Sequence, residues 1–385
     1  MATAATFSLR FALVVGVSAT ACTGLEPSPA DAGDASSGAA DDDGSEQMDD
    51  DDADDDGGME GDDGTPETGG ADDGDPQTDT GDVGDDGSTD DGDDGSTDGG
   101  GNTDPIPSAG CGNAAMSPGE HAGVAVEFSG SSRSFDLVVP PAHDGSTPLP
   151  LVLNFHGWTQ TPADHAEFSQ MNGTAIDRGF VLAYPAGIDN SWNAGICCGG
   201  AQSQGLDDVG FARAVVAQIG TATCIDERRV YAVGHSNGGF LAHRLACEAA
   251  DVFAAIGSVA GVIGIDAAQC TPGRAVPVMH LHGTGDTIVS IDGGGVLGHP
   301  SAQSSTVGWV ARNGCDATAA TALDQGDTTC QRWTGCGDGG EVQMCTIEAM
   351  GHCWPGNPTC TLGPPSTTVH ASDMLADFFT AHVMP

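Results

Sequence analysis

The stretch Arg229-Val-Tyr-Ala-Val-Gly-His-Ser-Asn-Gly-Gly-Phe240 decides the fold of this 385-residue chain. Its apolar first half predicts a short strand, and the residues from Phe240 onward predict an amphipathic helix. Between them, Gly234, Ser236 and Gly238 form a G-x-S-x-G pattern, whose glycines leave room for the helix to pass the strand. The pattern therefore predicts a sharp turn that raises the Ser236 hydroxyl above the carboxyl edge of a sheet.

Two later strands lead to residues that could act together with Ser236. A buried-type strand runs from Val276 toward a loop that ends at Asp286, and another runs from Val342 toward a loop that ends at His352. The chain order Ser, Asp, His is typical of the α/β-hydrolase fold. Because strands alternate with helices, we predict an α/β domain with a mostly parallel sheet flanked by helices. The alternative for Ser236 alone is a Gly-rich turn with a surface serine.

These three residues predict nucleophilic catalysis. A serine hydroxyl is a weak nucleophile at neutral pH and needs an adjacent base. We expect His352 to take the proton of Ser236 and Asp286 to fix the tautomer of the imidazole. The expected chemistry is acyl transfer to water through an acyl-enzyme.

The oxyanion of such a reaction needs backbone N–H donors. One comes from the residue after the nucleophile, which is Asn237, and one from the loop after an earlier strand. That strand is Pro150 to Phe155, and its loop predicts Trp158 as the second donor, with Thr159 as the alternative.

The net charge of −46 is mainly a property of the N-terminal third. Residues 22–110 consist largely of Asp, Gly, Ser and Thr, and Asp85-Asp-Gly-Ser-Thr-Asp90 recurs at residues 93–98. Such a segment cannot bury enough apolar surface to offset its ordering entropy, so we predict a disordered acidic tail. An array of calcium loops is the alternative, but the flanking helices and closing glutamates of EF-hands are missing. We expect the folded domain at 111–385.

Residues 1–21 have the pattern of a signal peptide, with an apolar run after Arg10 and small residues before Cys22. Cys22 is a candidate lipidation site, as in bacterial lipoproteins, and an ordinary signal-peptidase site is the alternative. We therefore expect an extracellular or outer-surface location, with the membrane contacted only through an N-terminal lipid anchor.

The chain has 13 cysteines, and setting Cys22 aside leaves twelve, an even number. In an exported chain these predict disulfides, whose pairing the sequence leaves open. The cysteines lack zinc spacing, so we expect no metal, and nothing in the motifs calls for a cofactor. A basic patch is absent, which argues against a nucleic-acid partner.

Five further polar residues are predicted to have structural roles. Asp207 and Asp208 precede a helical pattern and should cap it. His243 is expected on a helix face without a chemical duty, and His280 and His282 are expected to pack, because two ligands are too few for zinc.

Six motifs together resemble the secreted polyhydroxybutyrate depolymerase and feruloyl esterase family. They are Phe155-His-Gly-Trp158, Trp192-Asn-Ala-Gly195 with Cys197-Cys198, Asp207-Asp-Val209, Gly234-His-Ser-Asn-Gly238, His282-Gly-Thr-Gly-Asp286 and Gly351-His-Cys-Trp-Pro-Gly356. The resemblance covers 111–385 and implies an α/β-hydrolase with the triad Ser236, Asp286 and His352. Met350 and Cys353 depart from the usual family residues beside the histidine.

The resemblance implies a serine carboxylic-ester hydrolase acting on polyesters, or on feruloyl or acetyl esters of plant polysaccharide. We expect Trp192 and Trp354, with Trp158, to line the substrate pocket. The loop that carries Trp192 and Cys197-Cys198 is predicted to be stapled near the mouth of the site, with Trp192 covering the core as the alternative. The alternatives are a serine peptidase of the same fold and a catalytically inactive surface binding protein.

Overall fold

The computed structural model describes residues 103–385. The predictions for the signal peptide, for Cys22 and for the acidic tail up to residue 102 lie outside the described residues.

One ten-stranded sheet organises the described chain, in the order β1-β2-β4-β3-β5-β6-β7-β10-β9-β8. The strands are β1 Gly119–Phe128, β2 Ser131–Val139, β3 Leu149–Phe155, β4 Val181–Pro185, β5 Ile225–His235, β6 Ala255–Val259, β7 Val278–Gly283, β8 Ala320–Gln325, β9 Thr328–Trp333 and β10 Val342–Ile347. From β4 to β10 the neighbouring strands are parallel. Antiparallel strands extend both edges, β1 and β2 beyond β4 and β8 and β9 beyond β10.

Helices connect the parallel strands and cover both faces of the sheet. They are α1 Pro162–Ser169, α2 Met171–Arg178, α3 Gly199–Ser203, α4 Asp208–Ala222, α5 Asn237–Glu248, α6 Ala302–Arg312 and α7 Ala371–Thr380. The core is split by the sheet: α4, α5 and α6 contribute to one apolar cluster, and α2 and α7 contribute to the other. The predicted α/β-hydrolase architecture, a mostly parallel sheet flanked by helices, is confirmed.

The segment just before Cys111 is attached to the rest of the described chain by backbone hydrogen bonds. Ile106 donates its backbone N–H to the Asp226 side chain at 2.9 Å, and Ser108 donates its backbone N–H to the Ile225 carbonyl at 2.9 Å. Gly110 donates to the carbonyl of Gly220 at 2.7 Å. These hydrogen bonds attach the segment to the end of α4 and the start of β5.

Six disulfides join the twelve cysteines from Cys111 onward, as the even count predicted. The pairs are Cys111–Cys224, Cys197–Cys198, Cys247–Cys270, Cys315–Cys336, Cys330–Cys345 and Cys353–Cys360. Within residues 103–385, no helix combines the length and the apolar character that crossing a membrane requires.

Candidate active site

Ser236 sits between the end of β5 and the start of α5. Its backbone has φ 53° and ψ −121°, a region that costs a non-glycine residue about 1–3 kcal/mol and is concentrated at functional sites. The N–H of Ser236 donates to the carbonyl of Val259 on β6 at 2.9 Å, which holds the turn against the sheet. The sharp turn predicted from the G-x-S-x-G pattern is therefore present.

The two glycines of the pattern are required by close backbone approach. A Cβ on Gly234 would lie 2.7 Å from the carbonyl oxygen of Phe155, and a Cβ on Gly238 would overlap that same oxygen. Any side chain at either position would push α5 away from β3.

Asp286 and His352 meet at the carboxyl edge of the sheet. The Nδ1 of His352 lies 2.6 Å from Oδ2 of Asp286, and both side chains are almost fully buried. The other carboxylate oxygen, Oδ1, accepts the backbone N–H groups of Ile288 and Val289, each at 2.9 Å. Since a carboxylate can only accept, Nδ1 of His352 must donate, which leaves Nε2 as the unprotonated nitrogen of the neutral ring.

Opposing influences act on the pKa of Asp286. Burial alone would raise the pKa of this carboxyl, but hydrogen bonds from His282 and His352 outweigh burial and hold the pKa below its usual value. Asp286 is therefore an anion at neutral pH, positioned to stabilise a positive charge on His352.

The ring of His352 contacts His235, the residue before Ser236 in the turn. The rings of His235 and His352 are 4.6 Å apart, and His235 precedes Ser236 directly. Within residues 103–385, no hydrogen bond joins Ser236 to His352 in this state of the site. Catalytic hydrogen bonds are often long or misaligned without substrate. The structure thus brings Asp286 and His352 together and places Ser236 next to the residue that His352 contacts.

The two predicted oxyanion donors, Asn237 and Trp158, both belong to segments next to Ser236. Asn237 is the first residue of α5, where the helix supplies no acceptor for its N–H. The loop that carries Trp158 lies against the turn, since a Cβ on Gly157 would be 3.5 Å from the Cβ of Ser236. Thr159, the alternative donor, already donates its N–H to the Asn190 carbonyl at 2.8 Å and is removed as a candidate.

A comparison with known protein families identifies the family of this chain. The family model described as Esterase PHB depolymerase matches residues 133–331, more than half of the chain. This chain belongs to the esterase PHB depolymerase family. The matched region contains Ser236 and Asp286 and ends before His352.

Two relatives and one solved structure illustrate the similarity. Feruloyl esterase B of Piromyces equi is 30% identical over 57% of this chain, which spans only 42% of that protein. The putative esterase NocK of Nocardia uniformis subsp. tsuyamanensis is 30% identical, over 66% of this chain and 80% of NocK. Acetyl xylan esterase from Aspergillus awamori aligns with a TM-score of 0.47 and 16% identity, over 65% of this chain and 94% of that chain.

In this family member, two of the three tryptophans expected to line the pocket are buried. Trp192 donates its indole N–H to the carbonyl of His156 at 2.9 Å, and Trp354 donates to Oγ of Ser372 at 3.2 Å. Both side chains have no exposed surface, so their prediction as substrate-binding residues is wrong. Trp158 alone of the three faces solvent, with 54% of its surface exposed.

The loop from Ser191 to Gly200 is stapled beside the turn, as predicted. Cys197 and Cys198 are joined to each other, and the Sγ of Cys197 accepts a long hydrogen bond of 3.7 Å from Nδ2 of Asn237. The vicinal disulfide therefore contacts the residue that follows Ser236.

Only one of the two predicted capping aspartates caps α4. Asp207 accepts the N–H of Gly210 at 2.7 Å, as expected of an N-cap. Asp208 is instead fully buried, where it pairs with Arg133 at 2.8 Å and accepts the N–H of Asn193 at 2.7 Å. The prediction for Asp208 is wrong, because its side chain turns inward and anchors the start of the stapled loop.

Proposed function

We propose that this chain is a serine carboxylic-ester hydrolase in which Ser236, His352 and Asp286 form the catalytic triad. The observation that carries the proposal is the 2.6 Å contact between His352 and Asp286 at the edge of the sheet where Ser236 is held in the elbow conformation. The relatives named as esterases support the same class of reaction.

The reaction follows from the proton positions. Nε2 of His352 takes the proton of Ser236 as its Oγ attacks the ester carbonyl carbon, and the same proton is passed to the departing alcohol oxygen. Water then attacks the acyl group on Ser236, with His352 again acting as the base. The N–H groups of Asn237 and Trp158 hold the oxyanion, and loss of one such donor costs about 10²–10³-fold in rate.

The substrate class is proposed as feruloyl or acetyl esters of plant polysaccharide, with polyhydroxybutyrate-type polyester as the second candidate. The names of relatives, feruloyl esterase B and a bifunctional acetylxylan esterase/xylanase, favour the first class. The exposed indole of Trp158, whose ring nitrogen lies against Gly199 of the stapled loop, offers a flat apolar surface that suits an aromatic acyl group or a sugar ring.

The test compares three substrates with the purified 385-residue chain: methyl ferulate, acetylated xylan and a film of short-chain polyhydroxybutyrate. Ser236→Ala should lose turnover of every substrate that the native chain hydrolyses. Ser304→Ala, a change at an exposed serine on α6, serves as the matched control and should keep full activity. Release of ferulate or acetate supports the polysaccharide class, whereas film clearing supports the polyester class.

Two other functions remain alternatives from the sequence. A serine peptidase of the same fold would cleave peptide amides and be labelled by a fluorophosphonate at Ser236, yet leave all three esters intact. A catalytically inactive surface binding protein would show neither ester turnover nor labelling of Ser236.

Export to an oxidising compartment is proposed as well. All twelve cysteines from Cys111 onward are paired, and structural disulfides of this density are typical of exported proteins. A lipid anchor at Cys22 would be tested by labelling cells with a palmitate analogue. A Cys22→Ala chain that still carried the label would contradict the anchor.

A further inference from the structure

Two buried histidines lie behind the Asp286 carboxylate on β7. His280 and His282 are two residues apart in the strand, so their side chains project to the same face. Their rings are stacked 5.2 Å apart with an interplanar angle of 8°, and Nε2 of His280 lies 2.9 Å from Nδ1 of His282. The two imidazoles are therefore joined by one hydrogen bond.

The direction of that hydrogen bond follows from the far side of His282. Its Nε2 lies 2.8 Å from the carbonyl oxygen of Val289 and 3.5 Å from Oδ2 of Asp286. Both atoms can only accept, so Nε2 of His282 carries the proton. In a neutral imidazole, Nδ1 is then the acceptor, and it receives its hydrogen from Nε2 of His280.

A third histidine, on α5, has the same orientation. The indole N–H of Trp309 can only donate, and it donates to Nδ1 of His243 at 2.9 Å, so the proton of His243 is on Nε2. The rings of His243 and His280 are 5.7 Å apart. Among the described residues, Nε2 of His243 and Nδ1 of His280 have no hydrogen-bond partner, and one is a donor and the other an acceptor. All three rings thus carry their proton on Nε2, but no hydrogen bond joins His243 to His280.

We propose that His280 and His282 form a one-directional relay, and that His282 is the positioning residue for the triad carboxylate. The inference rests on the proposed function. Val289 links His282 to Asp286: its N–H donates to Oδ1 of Asp286, and its carbonyl accepts a hydrogen bond from Nε2 of His282. His282 therefore holds the loop after β7 in place. His282 thereby fixes the plane of the carboxylate and directs Oδ2 toward His352.

A neutral relay suits this task better than a charged one. A protonated His282 would compete with His352 for the negative charge of Asp286 and weaken the stabilisation of the imidazolium. Burial lowers the pKa of His280 well below its usual value and lowers that of His243 to about 3. A neutral His280 can donate from Nε2 to Nδ1 of His282, and this hydrogen bond gives His282 its orientation toward Val289 and Asp286.

Substitutions at His282 separate positioning from packing. His282→Gln keeps an N–H donor near the position of Nε2, whereas His282→Leu fills the buried site with an apolar side chain. If His282 positions Asp286, kcat for the preferred ester falls about 100-fold in His282→Leu. KM should stay within about twofold, and His282→Gln should recover most of the loss. If His282 only fills space in the core, kcat of His282→Leu should be at least as high as kcat of His282→Gln. That result would overturn the proposal.

A second measurement does not depend on turnover. In the 385-residue chain labelled with ¹⁵N-histidine, nitrogen chemical shifts report which ring nitrogen carries the proton, and signals are assigned by their loss in single histidine variants. The relay requires protons on Nε2 of His280 and His282, and a proton on Nδ1 of His352. A proton on Nδ1 of neutral His280 or His282 would reverse the relay and refute it. Should the native chain hydrolyse no ester, the proposed function fails, and these tautomers still decide the relay.

Discussion

The side-chain amide of Asn237 forms two hydrogen bonds with the main chain of Trp192. Its Oδ1 accepts the N–H of Trp192 at 2.7 Å, and its Nδ2 donates to the carbonyl of Trp192 at 3.0 Å. Because Asn237 follows Ser236, this amide pair ties the start of α5 to the stapled loop. Asn237 therefore serves the site twice, through its backbone N–H and through its side chain.

Asn237→Ala should destabilise the protein and slow the reaction together. It leaves the buried N–H of Trp192 without a partner, which costs about 1–3 kcal/mol of unfolding free energy. The carbonyl of Trp192 keeps the N–H of Cys198 at 3.2 Å. Guanidinium titration and ester kinetics measure the two effects. Asn237→Asp keeps the acceptor for the N–H and should lose less stability than Asn237→Ala. An alanine variant as stable and active as the native chain would contradict this role.

Asp286→Asn should reduce kcat by about 10⁴-fold while KM changes little. The Asn oxygen can still accept the N–H groups of Ile288 and Val289, which Oδ1 holds in the native chain. Its amide nitrogen would then face His352 and require Nδ1 to accept, so the imidazole takes the wrong tautomer. Asp292→Asn, at an exposed position in the same loop region, is the control. A loss below tenfold in Asp286→Asn would remove Asp286 from the triad.

The parts of the site that could be predicted are those set by local chain geometry. The turn at Ser236 follows from the glycines alone, since Gly234 and Gly238 lie against the Phe155 carbonyl. Asp286 and His352 could be placed because both follow parallel strands, whose carboxyl ends share one edge of the sheet. The sequence could not decide between site and core for Trp192 and misplaced Trp354, because residue type does not show whether an indole N–H finds a partner inside the core.

The elements missed from the sequence lack a strong periodic signal. In β8 nearly every residue is exposed, so the alternation that normally marks a strand is absent, and the hairpin with β9 was not predicted. Helices α1 and α2 are eight residues long each, too short for a clear amphipathic repeat. The disulfide pairing depends on the distances between elements in the fold, which cysteine spacing does not encode.

Removing one partner of the Arg133–Asp208 pair should destabilise the protein by about 3–5 kcal/mol. Both groups are buried, and the guanidinium of Arg133 also lies 3.4 Å from the ring centroid of Phe211. Arg133→Met leaves a buried carboxylate without its cation, and burial already raises the pKa of Asp208. In guanidinium titrations, the double variant Arg133→Met with Asp208→Asn should lose less stability than the two single losses added together. Strict additivity would show that the two charges do not interact.

The stability of the protein should fall as the pH is lowered from about 6.5 to 5. Burial lowers the pKa of a set of histidines in the folded protein, to about 4 for His156 and about 3 for His243. The same set includes His165, His235 and His280, whose pKa values also lie well below the usual one. Below about pH 6.5 the unfolded chain binds protons that the folded chain does not, so protonation favours unfolding.

The expected loss is about 1.4 kcal/mol of unfolding free energy per pH unit for each such histidine. Carboxylates with lowered pKa values, such as Asp286, begin to lose their contribution only below about pH 5, so this window reports mainly on the histidines. Guanidinium titrations without reductant at about pH 7.5, 6.5, 5.8 and 5.0 measure how the unfolding free energy depends on pH on both sides of the usual histidine pKa. His243→Asn keeps an acceptor for Trp309 and removes one titrating ring. Its unfolding free energy should therefore change with pH less steeply than that of the native chain, by about 1.4 kcal/mol per pH unit. A flat profile in the native chain would mean that these rings remain accessible to protons in the folded state.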